Sequence, residues 1–159
     1  MSTQIDVGHL PPDVLRQYSG LEQLRMVLEG KLPPPPISRT LDFRLTEAEE
    51  GRAVFRGTPR YAYYNPLGVV HGGWSATLLD SALGCAVHTM LPAGTGYTTV
   101  EFKVNLVRPL SEDSGEVICE GRVVHFGRTI ATSEATLKTA SGKLIAHGTE
   151  TCAIFPLPG

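Results

Sequence analysis

The chain has 159 residues, of which 42% are hydrophobic and 19% charged, and this composition suits one globular domain with a substantial core. A formal net charge of −2 and a pI near 6.2, without a long run of lysine or arginine, argue against a nucleic-acid partner. No stretch approaches the roughly 18 apolar residues that span a bilayer, and residues 1–6 lack the basic start of a secretory signal, so we expect a cytoplasmic protein without a membrane partner.

The N-terminal segment is predicted to form a helix followed by a stiff linker. Four apolar residues recur there at helical spacing: Leu21, Leu24, Val27 and Leu28. Gly30 ends this pattern, and the four prolines at 33–36 make a semi-rigid spacer. We therefore predict a helical extension with its linker over 1–36, and a main domain over 37–159.

Segment 37–64 alternates in short apolar runs around a turn at Glu50-Gly51, which predicts a β-hairpin. From Gly72 to about Met90 the residues are apolar on nearly every side, which predicts a helix buried all round. Four strand-like segments follow, separated by turn residues: 97–108, 116–126, 129–139 and 143–155. In the first segment, apolar residues alternate with polar ones, which indicates a strand with one buried face: Val100, Phe102, Val104 and Leu106.

This order of elements predicts an α+β fold in which an antiparallel sheet wraps around a long buried central helix. An open sheet of this kind has exposed edges, which natural proteins commonly cover or pair with another chain. We therefore expect a homodimer.

The run from Asn65 to Asp80 contains an amide, an imidazole, two glycines at a helix start and one carboxylate. The N–H groups of Gly72 and Gly73 are among those without an intrahelical partner, at the positive end of the helix dipole. They could polarise an acyl carbonyl and stabilise its tetrahedral oxyanion. A tight turn at the start of the helix would also account for the two glycines.

Asp80 stands in an apolar helix, and no Lys or Arg occurs between Arg60 and Lys103. Burying an unpaired carboxylate costs several kcal/mol, so we favour a functional role over a structural capping role. Gly72 and Asp80 lie about 12 Å apart on one helix, whereas a base must come within about 3 Å of its proton donor. If both residues are catalytic, they meet across a two-fold axis in a site shared by two subunits.

Other catalytic and metal-binding arrangements are not favoured. The residues after His71-Gly72-Gly73 lack the second glycine of a G-x-S-x-G nucleophile elbow, and the chain is short for an α/β-hydrolase. The five histidines show no zinc-binding spacing, so we expect no metal. The three widely spaced cysteines are expected to be buried free thiols: Cys85, Cys119 and Cys152.

The combined pattern resembles the hot-dog-fold acyl-CoA thioesterases of the phenylacetic-acid-degradation (PaaI-like) type. The resemblance covers about residues 37–155 and rests on Asn65 six positions before His71-Gly72-Gly73, and on Asp80 nine positions after that histidine. It also includes the sequence Thr-Thr-Val-Glu-Phe-Lys-Val-Asn-Leu-Val-Arg-Pro at 98–109 and the turn at 127–129.

The resemblance implies hydrolysis of acyl-CoA thioesters to the free acid and CoA. It assigns polarisation of the carbonyl to the Gly72 N–H, with Asn65 and His71 positioning groups around it. Asp80 of the partner chain would act as general base or as nucleophile, and Thr99 would orient the water or the carboxylate. The turn formed by Gly127, Arg128 and Thr129 would contact the CoA phosphates or nucleotide, although Arg128 could equally be a solvated hairpin residue.

No cofactor is implied, because CoA is part of the substrate, and dimers are expected to pair into tetramers as in relatives. Two alternatives stay open: a non-catalytic hot-dog protein that binds acyl-CoA, and a hot-dog hydratase or dehydratase. The first would have no need for Asp80, and the second usually pairs a catalytic histidine with a carboxylate in a different arrangement. Trp74 and Tyr64 either line the acyl pocket or belong to the core.

Overall fold

Six antiparallel strands and one long helix form the body of the protein, in a computed structural model that describes residues 6–158. The strands are β1 (Phe43–Glu49), β2 (Arg52–Gly57), β3 (Thr95–Leu106), β4 (Val117–Phe126), β5 (Ile130–Thr139) and β6 (Leu144–Pro156). They form one sheet in the order β1-β2-β4-β5-β6-β3, and every neighbouring pair is antiparallel. The edges of the sheet are therefore β1 and β3.

The predicted central helix is confirmed. Two short helices, α1 (Pro12–Gln17) and α2 (Gly20–Leu28), and a third, α3 (Pro36–Thr40), precede it, so it is α4 (Gly72–His88). Gly73 is the only exposed residue of α4. A Cβ on Gly121 of β4 would overlap the carbonyl oxygen of Ala82, so glycine lets the helix backbone touch the sheet. This wrapped helix is the predicted hot-dog fold.

Apolar side chains from α4 and from the concave face of the sheet make one main core, whose largest fully buried members include Leu78, Leu79, Leu83 and Leu137. Trp74 is part of this core: it is 3% exposed, and its indole N–H donates to the Leu41 carbonyl at 2.9 Å. Its ring stacks on Tyr63. Of the two roles left open for Trp74, the structure therefore supports the core.

The predicted helix in the N-terminal segment is α2, which begins with a capping box between Ser19 and Glu22. It docks on the C-terminal end of α4: the Gly20 N–H donates to the Leu91 carbonyl at 2.9 Å. A Cβ on Gly20 would overlap the His88 carbonyl oxygen, so this close approach requires glycine. The division of the chain at residue 36 stays a prediction.

The structure differs from the sequence prediction at two elements. The start of the predicted hairpin segment is the short helix α3, because Pro36 occupies its first turn, where proline is favoured. The predicted buried face of β3 is largely exposed: Val100 and Leu106 are each 58% exposed, and Phe102 is 43% exposed. As an edge strand, β3 has a covering neighbour on one side only.

No helix within residues 6–158 is both long and apolar enough to cross a bilayer. The three cysteines are free, as predicted, with Cys119 and Cys152 buried and Cys85 partly buried. Burial raises the pKa of Cys85 to about 12 and also raises the pKa of Cys119 and Cys152 far above the ordinary value.

Candidate active site

The start of α4 presents one unused backbone donor. His71 is the N-cap residue, and its Nδ1 accepts a hydrogen bond from the Gly73 N–H at 2.9 Å. The His71 N–H donates to the Tyr63 carbonyl at 2.7 Å, whereas the Gly72 N–H has no hydrogen-bond partner within residues 6–158. Since Nδ1 of the exposed residue His71 is an acceptor, Nε2 is the ring nitrogen that can donate. Both the Gly72 N–H and the His71 ring can therefore donate outward.

Gly72 also permits a close approach by β3. A Cβ on Gly72 would lie 2.5 Å from Cδ1 of Leu106, which is an exposed and flexible side chain. The contact would displace a side-chain tip and no backbone atom, so residue 72 tolerates a small side chain better than Gly121 does.

Asn65 shapes the loop that leads into α4. Its Oδ1 accepts hydrogen bonds from the N–H groups of Leu67 and Val69, at 2.9 and 3.3 Å. The Asn65 N–H donates to the Val69 carbonyl at 2.8 Å, and Tyr64 pairs with Val70 to close the loop. The side-chain Nδ2 group of Asn65 has no partner in the described part of the chain, so it is the part of the amide that can contact another molecule.

Asp80 lies two turns further along α4 and is partly buried. It forms no ion pair with any residue in 6–158, in agreement with the absence of nearby Lys and Arg in the sequence. Burial raises the pKa of Asp80, and the neighbouring Glu150 carboxyl group opposes this increase. The ionisable group that acts on Asp80 is thus the carboxyl group of Glu150 and not a cation.

Glu150 was not predicted as a site residue. Its side chain is 1% exposed, on the inner face of β6, where Gly148 and Cys152 on either side are also buried. Oε1 of Glu150 accepts hydrogen bonds from Thr99 Oγ1 at 2.8 Å and from Cys152 Sγ at 3.0 Å. Alternation along β6 could have revealed it, because the strand period of two puts residue 150 on the same face as these buried neighbours.

The structure therefore divides the predicted catalytic residues into two groups. Asn65, His71 and Gly72 lie together at the start of α4, whereas Asp80 lies about 12 Å along the same helix. Thr99 belongs to the second group, because its hydroxyl bonds Glu150 beside Asp80.

The turn formed by Gly127, Arg128 and Thr129 connects β4 to β5. The Gly127 N–H donates to the Ile130 carbonyl at 2.8 Å, and the exposed Arg128 forms no ion pair within residues 6–158. Ile130 pairs with Ala153 of β6, three residues and roughly 10 Å along the strand from Glu150. The turn thus lies at the end of the sheet nearest to the second group.

A cavity of about 960 Å³ lies between the N-terminal extension and the main sheet, with Leu24, Phe55, Cys85 and His88 in its walls. None of the predicted site residues lines it. No cluster of three or more His, Cys, Asp or Glu side chains that could hold a metal occurs within residues 6–158.

One long helix packed against a six-stranded antiparallel sheet is the architecture of a hot-dog protein. Residues 67–146 match the family model described as the thioesterase superfamily, and the chain belongs to this superfamily. The predicted fold and the predicted thioester hydrolase class are therefore confirmed.

Individual relatives agree with this assignment. The chain is 28% identical to human acyl-coenzyme A thioesterase 13 over 134 residues, which are 82% of this chain and 93% of the human protein. A thioesterase family protein from Silicibacter pomeroyi superposes with a TM-score of 0.74 at 27% identity, over 83% of this chain and 98% of its own. A phenylacetic acid degradation-related protein from Ralstonia eutropha gives a TM-score of 0.74 at 26% identity, over 81% of this chain and 97% of its own.

Proposed function

We propose that the protein hydrolyses acyl-CoA thioesters to the free acid and CoA, in an active site shared between two subunits. The observation that carries the proposal is the position of Gly72 and Asp80 on one helix, α4. The free Gly72 N–H and the partly buried Asp80 carboxyl group have complementary catalytic uses, yet about 12 Å of helix separates them. Two copies of α4 packed antiparallel would bring the Gly72 of one chain to the Asp80 of the other.

In this mechanism the substrate carbonyl oxygen accepts a hydrogen bond from the Gly72 N–H, and the Asn65 amide and the His71 ring position groups around it. Asp80 of the partner subunit takes a proton from water as the water oxygen attacks the carbonyl carbon. The tetrahedral oxyanion is stabilised by the Gly72 N–H, because this donor needs no reorganisation. When the oxyanion collapses, the C–S bond breaks, and the CoA thiolate takes up the proton that Asp80 removed from water, which regenerates the Asp80 carboxylate. Direct attack by Asp80 on the carbonyl is the alternative, through an anhydride that water then hydrolyses.

The exposed apolar residues of β3 support the dimer. Val100, Phe102 and Leu106 are each more than 40% exposed on an edge strand. An exposed apolar edge strand tends to pair with another chain. In a homodimer, a second copy of β3 would cover these side chains. A pair of dimers would be the larger assembly. Measurement of the mass in solution tests both the formation of the dimer and the pairing of dimers into a tetramer. A stable, active monomer would refute the shared site.

The proposal also covers the binding of the CoA portion of the substrate, the need for a cofactor and the cellular compartment. Arg128 carries a free guanidinium group on an exposed turn near the second group of site residues, which suits a phosphate of CoA. The reaction needs water and no resident cofactor, since CoA is part of the substrate. The cytoplasm is the compartment we propose.

The test is release of free thiol from a panel of acyl-CoAs of aryl, short, medium and long type. Asp80→Asn keeps the size of the side chain and removes the base, so we expect thiol release to fall by about 10²- to 10⁴-fold. Asp113→Asn is the matched control, because Asp113 is exposed and lies outside the site.

Unchanged hydrolysis by Asp80→Asn would refute the role of Asp80. If the wild type releases thiol from no thioester but binds acyl-CoA, the protein is a binding protein. A hydrated or dehydrated acyl product without thiol release would indicate the hydratase or dehydratase class.

A further inference from the structure

The most unusual feature outside the predicted site is the buried carboxyl group of Glu150. Among the residues in 6–158, no Lys or Arg side chain forms an ion pair with it. Oε1 of Glu150 accepts two hydrogen bonds, from Thr99 and Cys152, whereas Oε2 is buried without a partner. An ionised carboxylate in this position would leave one charged oxygen unsatisfied, which costs free energy.

Asp80 on α4 faces this carboxyl group across the contact between the helix and β6. Two carboxyl groups can form a hydrogen bond only if one of them holds a proton, and two adjacent negative charges repel each other. Because Thr99 and Cys152 both donate to Oε1, the oxygen of Glu150 that remains for the proton is Oε2. A proton on Oε2 would satisfy the orphaned atom by donation to Asp80.

Burial identifies the member of the pair that holds the proton. Burial raises the pKa of Glu150 to about 7, hydrogen bonds from Cys152 and Thr99 oppose the increase, and the charge of Asp80 adds to it. The pKa of Asp80 is also raised by burial, but the contact with Glu150 opposes that increase. Between the pKa of Asp80 and the pKa of Glu150, the pair therefore holds one proton, on Glu150, and Asp80 is the ionised member.

We propose that Glu150 is a positioning residue that donates its proton to Asp80, and thereby holds the Asp80 carboxylate ionised and oriented for catalysis. This inference rests on the proposed function, because Asp80 must be the base or nucleophile for its orientation to matter. It adds Thr99 to the same chain of contacts: the Thr99 hydroxyl orients Glu150, and Glu150 in turn orients Asp80.

Among the titratable groups in this part of the core, Glu150 is the one whose pKa lies near neutral pH. The other titratable side chains near Glu150 are Cys85 from α4, Tyr97 from β3 and Cys152 from β6. Burial raises the pKa of each of them, so all three are neutral at pH 5 to 8. Ser133 of β5, which pairs with residue 150, does not titrate in this range.

The pH profile of kcat/KM tests this role. In the wild type we expect kcat/KM to rise as Asp80 ionises and to fall again near pH 7, as Glu150 loses its proton and a second negative charge faces Asp80. Glu150→Gln keeps an N–H donor at every pH, so we expect the alkaline decline to disappear, with a loss of less than about tenfold below pH 7.

Glu150→Met is the contrasting variant, because it keeps the volume of the side chain without the donor. We expect kcat to fall by about ten- to a hundredfold with little change in KM, and the acid limb of the profile to move to higher pH. Glu134→Gln on the exposed side of β5 is the matched control, with the wild-type profile expected.

A readout that does not depend on activity separates this inference from the proposed function. In protein labelled with ¹³C at the glutamate carboxyl groups, one NMR signal should titrate near pH 7 and be absent from Glu150→Gln. In Asp80→Asn that signal should titrate at lower pH, because the facing charge has been removed.

The inference is overturned if every glutamate titrates at an ordinary carboxyl pKa, or if Glu150→Gln retains the alkaline decline. Absence of thioester hydrolysis in the wild type would refute the proposed function alone, since the NMR titration would still detect the shared proton.

Discussion

At the scale of single residues, Gly72 allows its backbone N–H to be tested separately from its size. Gly72→Pro removes the N–H, and the first position of a helix is where proline is tolerated best. His71 already has the extended backbone, with ψ of 133°, that a residue before proline prefers. We expect kcat for thiol release to fall by about 10²- to 10³-fold, with the free energy of unfolding nearly unchanged.

Gly72→Ala is the control for this substitution, because it adds the same Cβ near Leu106 and keeps the N–H. Its kcat should stay within about tenfold of the wild type, with stability equal or slightly higher, since alanine favours a helix over glycine. Equal losses of activity in the two variants would assign the effect to crowding at Leu106 and would contradict the oxyanion role.

Residue chemistry also explains which site residues the sequence could reveal. Asp80 was recognisable because an apolar helix without nearby cations makes a carboxylate conspicuous. Glu150 stands between Thr149 and Thr151, so its immediate sequence is polar, and only the alternation with Gly148 and Cys152 indicates that it lies on the inner face of β6. Its burial depends on the contact of β6 with α4, which is a tertiary property.

At the scale of elements, the contact between α2 and α4 makes stability depend on pH. The amide of Gln23 donates to the Tyr18 carbonyl, so its Oε1 faces the His88 ring and accepts from Nε2 at 2.9 Å. His88 therefore carries a proton on Nε2 when α2 is docked. Burial lowers the pKa of His88 to about 4, from an ordinary value of 6.5.

A lowered histidine pKa means that the unfolded chain binds a proton more readily than the folded chain does. The contribution of His88 to stability is thus complete above pH 6.5 and is lost as the pH falls from 6.5 towards 4. The loss amounts to about 3 kcal/mol at most, from a shift of this size.

Urea unfolding of the wild type and of His88→Gln at pH 7, 5.5 and 4.5 measures the effect. The difference in unfolding free energy between the two proteins should shrink or reverse as the pH falls, since glutamine cannot take up the proton. A difference that is constant over this range would contradict the neutral buried His88.

The sequence was sufficient to predict the order of the elements, the helix over 72–88 and the last four strands. The spacing of apolar residues and the turn residues that indicate these elements are local properties of the sequence. The exposure of β3 was not predictable in the same way. Alternation shows that one face of a strand is apolar, but the position of β3 at the edge of the sheet depends on pairing with β6. Similarly, Pro36 starts α3 where alternation alone predicted extended chain.

At the scale of the whole molecule, the shared site predicts that two inactive variants restore each other. Gly72→Pro damages the first group of site residues and Asp80→Asn damages the second. In a heterodimer of the two, one site receives both defects and the other receives neither. With random exchange of subunits, the mixture should recover about a quarter of the wild-type rate.

The measurement is thiol release after the two proteins have been unfolded and refolded together, or produced together in one cell. Each variant refolded alone is the control and should stay inactive. A site contained in one chain would give no recovery, because each chain would keep its own defect.

The raised pKa values of the three cysteine thiols have a practical consequence for all of these measurements. A thiol with a pKa of about 12, as for Cys85, is ionised in about one molecule in ten thousand at pH 8, and only the thiolate reacts with aromatic disulfide reagents. Cys119 and Cys152 are buried and still less acidic. The thiols of the folded protein should therefore react very slowly with such reagents. The colour that develops in the assay counts CoA released by turnover, and a slow rise without substrate would report unfolding of the chain.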